Sequence, residues 1–230
     1  MSRYDAMLTE RHPHHFTLAD THPLAKELHA NIFGESDLTH ANSAHVYDIS
    51  SLTEKPALFR KVIEFLKCRY ETMGDTGPTH IIGVESRGYI IGAPLAVALG
   101  IPFVTARVTK RFPSSFVPEG DDLKYLPMSR SIRNDSIPPR ARVLIVDDFI
   151  GTGSTMLAAL RLADIVAAQV VEVLTVCDVA SLGGIKIIRE SDDEMFKETP
   201  IFTLIHFKLS PREAEEQLEF VNSYITRSRL

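Results

Sequence analysis

Apolar positions in the middle of the chain predict a helix followed by a strand–helix–strand unit. A helix is expected from Pro56, because apolar side chains recur at helical spacing after it. Those side chains are Leu58, Val62, Phe65, Leu66 and Tyr70. A buried strand over 80–84, an apolar helix over 90–99 and a short strand over 101–104 follow. Strands joined by a helix are typical of a parallel sheet.

The second half of the chain continues this alternation. Apolar runs predict strands over 143–146, 170–176 and 201–205. Helical spacing predicts a helix from Thr155 to about Ala168 and another over 211–229. We therefore predict an α/β fold in which a mostly parallel central sheet is flanked by helices on both sides.

Changes in patterning divide the chain into three parts. Residues 1–50 are weakly patterned and predict the short elements of a small N-terminal lobe, whereas residues 51–210 carry the α/β core. Within the core, residues 105–139 form a polar stretch with five prolines, which is typical of a functional lid or of a disordered segment. Residues 211–230 form a C-terminal helix and tail.

Composition excludes several classes of function. The 230 residues contain 25 Lys and Arg against 30 Asp and Glu, a formal net charge of −5, which argues against nucleic acid or an anionic membrane as a partner. We see no apolar run near the roughly 20 residues that cross a bilayer, and no secretory signal at the N-terminus. Cys68 and Cys177 suit neither a disulfide framework nor a metal site, so we expect a reducing compartment.

The strongest chemical signal lies where the strand over 143–146 ends. Two carboxylates, Asp147 and Asp148, follow the strand, and a Gly/Thr/Ser loop then opens a helix. That loop consists of Gly151, Thr152, Gly153, Ser154 and Thr155. Its amides, hydroxyls and helix dipole suit a phosphate monoester, whereas the carboxylates are acceptors suited to sugar hydroxyls.

Two common phosphate-binding motifs do not match this segment. A Walker loop is excluded because no Lys lies between residues 125 and 185, and a Rossmann fingerprint because Met156 stands where a third glycine is needed. The remaining alternative is structural: the acidic pair would cap a strand and Gly-Thr-Gly would be an ordinary turn. The complete string of strand, acidic pair, loop and helix favours a binding site.

Residues 146–155 resemble the phosphoribosyl-pyrophosphate motif of type I phosphoribosyltransferases. Three further segments resemble adenine phosphoribosyltransferases in order and spacing, and the resemblance extends over about residues 45–207. These segments are Tyr47-Asp-Ile-Ser50, Gly83-Val-Glu-Ser-Arg-Gly-Tyr-Ile-Ile-Gly92 and Ser181-Leu-Gly-Gly184. The resemblance implies the type I fold with an N-terminal hood and a mobile loop. It also implies conversion of adenine and 5-phosphoribosyl 1-pyrophosphate (PRPP) to AMP and pyrophosphate in purine salvage.

The resemblance assigns a role to each matching position. The ribose hydroxyls would bind Asp147 and Asp148, and the 5′-phosphate would bind the loop over 151–155. Pyrophosphate would leave towards Arg87, with Arg107, Lys110 and Arg111 as further basic candidates. The purine would lie on Phe149 and be read by backbone groups at His45, Val46 and Tyr47. Mg²⁺ would be held mainly by pyrophosphate and ribose oxygens, with no direct protein ligand predicted. A homodimer is also implied.

The segment over 123–126 departs from the family. Its members carry Leu-Glu-Tyr-Gly, whereas this chain has Leu123-Lys124-Tyr125-Leu126. Tyr125 is kept and, with Arg87 and position 124, is a candidate catalytic residue by this resemblance, whereas Lys124 replaces the acidic residue that would help proton handling at the base. Loss of a general acid–base group typically costs about 10²- to 10⁴-fold in rate.

Several consequences of Lys124 are open at the level of sequence. The chain could be a weakened enzyme, or a regulatory paralogue that only binds PRPP and AMP. Alternatively, Glu119, Asp121 or Asp122 could take over the acidic role, or Lys124 could contact pyrophosphate. A phosphoribosyltransferase for another purine base is a further alternative, because backbone recognition leaves little trace in the sequence.

The last three residues form a candidate address signal. Ser228-Arg229-Leu230 resembles the Ser-Lys-Leu peroxisomal tag, which an import receptor reads at a free C-terminus. We therefore expect import into a peroxisome-type organelle, which would be the glycosome where that organelle exists. A cytoplasmic location is the alternative.

Overall fold

A mostly parallel sheet forms the centre of the fold. The computed structural model describes residues 7–33, 49–108, 115–116, 130–133, 135–216 and 218–219. Its strands are β1 (Leu8–His12), β2 (His15–Leu18), β3 (His80–Val84), β4 (Phe103–Val108), β5 (Ser115–Phe116), β6 (Arg130–Arg133), β7 (Arg142–Val146), β8 (Phe149–Ile150), β9 (Gln169–Val179) and β10 (Ile201–Phe207). Nine of them lie in the order β1-β2-β10-β9-β7-β3-β4-β6-β5, and β8 pairs with β9.

The helices lie on both sides of this sheet. They are α1 (Pro23–Phe33), α2 (Ser50–Thr53), α3 (Pro56–Glu71), α4 (Gly88–Leu99), α5 (Ser154–Ile165) and α6 (Gly184–Glu190), with short 3₁₀ turns at Gly74–Thr76, Ala180–Leu182 and Asp192–Glu194. Residues 211–216 are also helical. No helix in the described part of the chain is long and apolar enough to cross a membrane.

Alternating side chains of each central strand fill two separate cores. In β7, Leu144 and Val146 pack with the helices α1 to α4, whereas Val143 and Ile145 pack with α5 and α6. All four side chains are fully buried. A strand that is apolar on both faces is expected where helices cover both faces of a parallel sheet. The predicted α/β architecture is therefore confirmed.

The N-terminal residues join the central sheet directly. The hairpin of β1 and β2 is antiparallel, and β2 pairs in parallel with β10, with His15 opposite Ile201. Leu18 of β2 and Leu28 of α1 belong to the same core as α3 and α4. The weak patterning of this region predicts only the short elements of a small lobe and does not reveal this pairing.

The strands differ from their predicted extents mainly at the carboxyl ends. β4 continues to Val108, and β9 continues to Val179 and so includes Asp178. β6 lies within the stretch predicted to be a loop, and it pairs antiparallel with β4. Both its length and its pairing depend on the neighbouring strand, which a local pattern does not reveal.

A buried ion pair links α3 to β9. Arg69 donates through Nη2 and Nε to the two Glu172 oxygens at 2.7 and 3.2 Å, and the Tyr70 hydroxyl donates to Glu172 at 2.8 Å. The Arg69 guanidinium also lies 4.1 Å from the centre of the Phe202 ring. Glu172 is only 3% exposed, so each charge depends on the other for compensation.

We expect Glu172→Gln to lower the free energy of unfolding by about 3–5 kcal/mol, because Arg69 would be left buried without a counter-charge. Urea unfolding followed by circular dichroism measures this difference. The double variant Arg69→Met/Glu172→Gln is the matched control, since it removes both charges and should recover most of the loss. A single variant within about 1 kcal/mol of the unaltered chain would contradict the role of the pair.

Candidate active site

Two buried carboxylates stand at the carboxyl end of β7. Asp147 is 6% and Asp148 4% exposed. The Asp148 amide donates to Asp147 Oδ1 at 2.9 Å, and the Phe149 amide donates to Asp148 Oδ1 at 2.8 Å. The Asp148 carbonyl accepts from the amides of Val176 and Cys177, which fixes this turn against β9. Both side chains are therefore placed by the backbone.

Arg87 forms an ion pair with one of these carboxylates. Its Nε lies 2.7 Å from Asp148 Oδ2. Burial raises the pKa of the Asp148 carboxyl, an effect that the Arg87 guanidinium and the donated amide hydrogen bonds partly offset. The residues predicted for pyrophosphate and for ribose therefore meet in this structure, a contact that the sequence did not predict.

The loop that carries Arg87 lies beside β7 because its strand does. β3 pairs in parallel with β7, with Gly83 opposite Val146, so both strands end at the same edge of the sheet. A Cβ at Gly88 would lie 2.3 Å from the Val146 carbonyl oxygen, so only glycine permits this approach of α4. The peptide bond between Glu85 and Ser86 is cis.

The predicted phosphate loop leads directly into α5. Gly153 has φ +82° and precedes Ser154, the first residue of the helix, and no side chain caps this end. Thr152, Ser154 and Thr155 are half-buried, and the Thr152 and Ser154 hydroxyls lie 3.2 Å apart. Amides and hydroxyls at a helix N-terminus form a binding site for an anion.

A second glycine turn, Gly183–Gly184, is in close contact with this loop. A Cβ at Gly184 would lie 2.2 Å from the Gly151 carbonyl oxygen and 2.7 Å from the Gly153 nitrogen. A Cβ at Gly153 would likewise lie 2.5 Å from the Gly184 carbonyl oxygen. The two backbones therefore touch. The Ser-Leu-Gly-Gly segment stands out in the sequence, but this supporting role of Gly184 was not predicted.

Phe149 lies beside the acidic pair, at the predicted position of the purine. It belongs to β8, pairs with Cys177 of β9 and is half-buried. Its ring packs against the main core and against a small cluster formed by Val179, Leu182 and Leu209. Its location is compatible with stacking on a base at this edge of the sheet.

Other predicted site residues are only partly covered by the structure. Arg107 is exposed near the end of β4, and its Nε contacts Thr105 Oγ1 at 3.3 Å. The remaining candidates lie outside the described residues, as does the C-terminal tripeptide. They are His45, Val46, Tyr47, Lys110, Arg111, Lys124, Tyr125, Ser228, Arg229 and Leu230.

The carboxylate pair also determines which ligands the site can supply to a metal ion. Asp147 and Asp148 supply oxygen atoms, the ligands that Mg²⁺ prefers. Within the described ranges, no group of three or more His, Cys, Asp or Glu side chains could hold a metal ion. The pair therefore fits an ion that takes its other ligands from substrate and water.

Comparison with known sequences identifies the family. A sequence model of the phosphoribosyl transferase domain matches residues 48–213. The adenine phosphoribosyltransferase of Carboxydothermus hydrogenoformans is 38% identical over 139 residues, which are 60% of this chain and 80% of that protein. The enzyme of the same name from Methylibium petroleiphilum is 36% identical over 161 residues, 70% of this chain and 78% of that protein.

Solved structures agree with the sequence comparison. Adenine phosphoribosyltransferase from Leishmania tarentolae superposes with a TM-score of 0.74 at 31% identity, covering 86% of this chain and 94% of that one. The Trypanosoma brucei enzyme, crystallised with AMP, pyrophosphate and ribose-5-phosphate, gives a TM-score of 0.74 at 28% identity and covers 90% and 87%. With the type I fold and the geometry of the carboxylates and phosphate loop, these matches show that the chain belongs to the phosphoribosyl transferase family, among its adenine phosphoribosyltransferases.

Proposed function

We propose that this chain transfers the 5-phosphoribosyl group of PRPP to adenine, giving AMP and pyrophosphate in purine salvage. The observation that carries the proposal is the meeting of two buried carboxylates and a glycine-supported helix N-terminus at one edge of the sheet. Relatives of the same name, and a neighbour crystallised with AMP and pyrophosphate, support it.

The geometry supports separate roles for the two halves of the site. Residues 151–155 would bind the 5′-phosphate through amides and hydroxyls. Asp147 and Asp148 would accept hydrogen bonds from the ribose hydroxyls, and an ionised carboxyl does so through both of its oxygens. Since Arg87 lies on Asp148 in this structure, PRPP would replace that ion pair and engage Arg87 through its pyrophosphate.

In the proposed reaction, N9 of adenine bonds to C1′ of the ribose while the C1′–oxygen bond to pyrophosphate breaks. Pyrophosphate leaves with the electron pair of that bond, and the N9 proton of the base passes to pyrophosphate or to water. Arg87 would stabilise the negative charge on the leaving group, and the buried carboxylates would hold the sugar in place. The Phe149 ring would stack on the base and exclude water from that part of the site.

We further propose that Mg²⁺ accompanies PRPP. It would bind pyrophosphate and ribose oxygens beside Asp147 and Asp148, where it would neutralise charge on the leaving group. Titration of Mg²⁺ against PRPP binding tests this, and equal binding of PRPP without the ion would contradict it.

A homodimer is proposed for the assembled enzyme. α4, which begins at the Arg87 loop, is apolar around most of its circumference, and Ile90 and Val97 are 39% and 84% exposed. An exposed apolar helix face of this kind favours burial against a second copy. Light scattering should give the mass of two chains, and a monomeric mass would refute the assignment.

We also propose that Ser228-Arg229-Leu230 directs the protein to a peroxisome-type organelle through an import receptor. Removal of the three residues should leave a tagged protein in the cytoplasm. Organellar localisation of that truncated protein would contradict the proposal.

The direct test is incubation of the purified protein with labelled adenine, PRPP and Mg²⁺, for which we expect labelled AMP. Absence of AMP above background would overturn the function. Calorimetric binding of AMP without turnover would instead favour the regulatory paralogue. A competition assay among adenine, hypoxanthine, guanine and xanthine shows which base the protein prefers as substrate.

Lys124→Glu tests the departure in the loop. If Lys124 limits turnover, this variant should raise kcat by about 10²-fold or more, because it restores a group that can handle the proton of the base. The Kd for AMP should change little, since the phosphate and ribose groups are bound elsewhere. An unchanged kcat would show that Lys124 does not limit the rate.

Arg87→Gln should lower kcat/KM for PRPP by about 10²-fold, the usual cost of one charge-stabilising donor. The guanidinium is one of the influences that hold the pKa of Asp148 down, so its loss raises that pKa further. The acid limb of the kcat/KM profile should therefore move to higher pH. Arg87→Lys keeps the positive charge and should leave the limb in place. An acid limb that does not move in Arg87→Gln would contradict this coupling.

Gly184→Ala should weaken PRPP and AMP binding by at least about tenfold, because the new Cβ would push against the Gly151 carbonyl and displace the phosphate loop. Gly183→Ala is the matched control. That residue has φ +70° but nothing within 4 Å of a Cβ, so its replacement should cost about 1 kcal/mol of stability and spare binding. Equal AMP affinities for the two variants would exclude the supporting role of Gly184.

A further inference from the structure

A cleft of about 670 Å³ lies at the carboxyl end of β10, between β1, α1 and the segment after β10. Its lining includes neither the acidic pair nor any residue of the loop over 151–155. Its polar lining consists of Arg11, Asp20, Lys26, His29, His206 and Lys208. None of these residues has a role in the reaction proposed above.

His206 lines this cleft and is held from behind by a buried carboxylate. Its side chain is only 10% exposed, and Nδ1 lies 2.8 Å from Asp178 Oδ2. Asp178 is 1% exposed, and its Oδ1 also accepts from the Thr203 hydroxyl at 3.0 Å. Because a carboxylate only accepts, Nδ1 carries a hydrogen, and Nε2 is the ring nitrogen that remains to contact a ligand.

The second histidine near Asp178 does not supply a compensating charge. His15 Nε2 lies 3.6 Å from Asp178 Oδ1, and the His15 side chain is fully buried. Burial lowers the pKa of His15 to about 4, so this ring is neutral at neutral pH. His206 is therefore the histidine that contacts Asp178 directly, at 2.8 Å.

The remaining charges of the cleft favour an anion. The cleft is lined by three basic side chains, Arg11, Lys26 and Lys208, and by one carboxylate, Asp20. That carboxylate is ion-paired with Arg11. Arg11 also donates to Thr17 Oγ1 at 3.0 Å, which orients its guanidinium. Lys26 and Lys208 are exposed on two different elements that border the cleft. Convergence of cations from separate elements is what recognition of a multiply charged anion requires.

We propose that this cleft is a second ligand site, which binds a small dianion of the phosphate-monoester class through His206, Lys26, Lys208 and Arg11. The dianion accepts a hydrogen bond from Nε2 of His206, which requires that nitrogen to carry a hydrogen in the complex. For a ligand whose own charge stays constant, binding that takes up this proton becomes tighter as the pH falls. Charged and titratable groups from every neighbouring element face His206 or the cleft: Arg11, His15, Asp20, Lys26, His29, Asp178 and Lys208.

Sulfate is the probe for this site, because its charge stays constant while histidines titrate between about pH 5 and 8. The complete protein, carrying ¹⁵N-labelled histidine, is titrated with sulfate in the absence of nucleotide. The His206 ring signals, identified by their loss in His206→Asn, should shift with sulfate and give a Kd that falls as pH falls. These signals report on the cleft itself, so the result does not depend on whether the proposed reaction occurs.

Variants separate this cleft from other anion sites. Lys26→Gln/Lys208→Gln should raise the sulfate Kd by about tenfold or more, whereas Lys61→Gln, an exposed lysine on α3, should not. His206→Asn keeps an amide beside Asp178 and should abolish the pH dependence of sulfate binding measured by calorimetry, whereas His29→Asn should retain it.

Three outcomes would overturn the proposal. The first is the absence of any sulfate shift at His206. The second is a sulfate affinity unchanged in Lys26→Gln/Lys208→Gln but lost in Arg87→Gln, which would locate sulfate beside the acidic pair. The third is a pH dependence that survives in His206→Asn.

Discussion

The close contact between two glycine turns is the constraint on which the active-site edge depends. Gly151–Gly153 and Gly183–Gly184 approach so closely that a single methyl group at Gly184 would overlap a backbone oxygen. The first turn follows β8, and the second follows the 3₁₀ turn at the end of β9. The end of β9 therefore positions the loop over 151–155. An anion site made of backbone amides needs this support, because its donors move only when the chain moves.

The same strand also fixes the carboxylates. Amides of Val176 and Cys177 in β9 donate to the Asp148 carbonyl, and the pairing of β7 with β3 brings Arg87 to the Asp148 side chain. An unpaired carboxylate this deeply buried would be costly. The ion pair compensates the charge of Asp148 in this state, and a ligand that binds the site can take over Arg87. In the proposed function, ligand binding would therefore exchange the partner of Arg87, which would limit the desolvation cost of binding.

Local signals made much of this arrangement predictable. The apolar runs of β3 and β7 and the acidic pair followed by Gly-Thr-Gly identify the strands, the edge and the ligand chemistry, since each signal lies within a few residues of its effect. The contact of Gly184 with Gly151, the ion pair of Arg87 with Asp148 and the pairing of β2 with β10 join residues far apart in sequence. No periodicity encodes such contacts, because they follow from strand order. The network around Asp178 was missed for the same reason: β9 was predicted to end two residues too early to include it.

The composition of the loop over 151–155 explains how an acidic chain can offer a site to a phosphorylated ligand. A net charge of −5 argues against an extended basic surface, the loop over 151–155 contains no cation, and two of the carboxylates, Asp147 and Asp148, are proposed to bind the sugar. In the proposed function, binding of the phosphoribosyl group rests mainly on backbone geometry, and Arg87 is the described basic side chain that would stand where charge changes during the reaction. In the sequence, Lys124 is not part of the loop over 151–155, so in the proposed function it would alter the chemical step without removing the amides that bind phosphate.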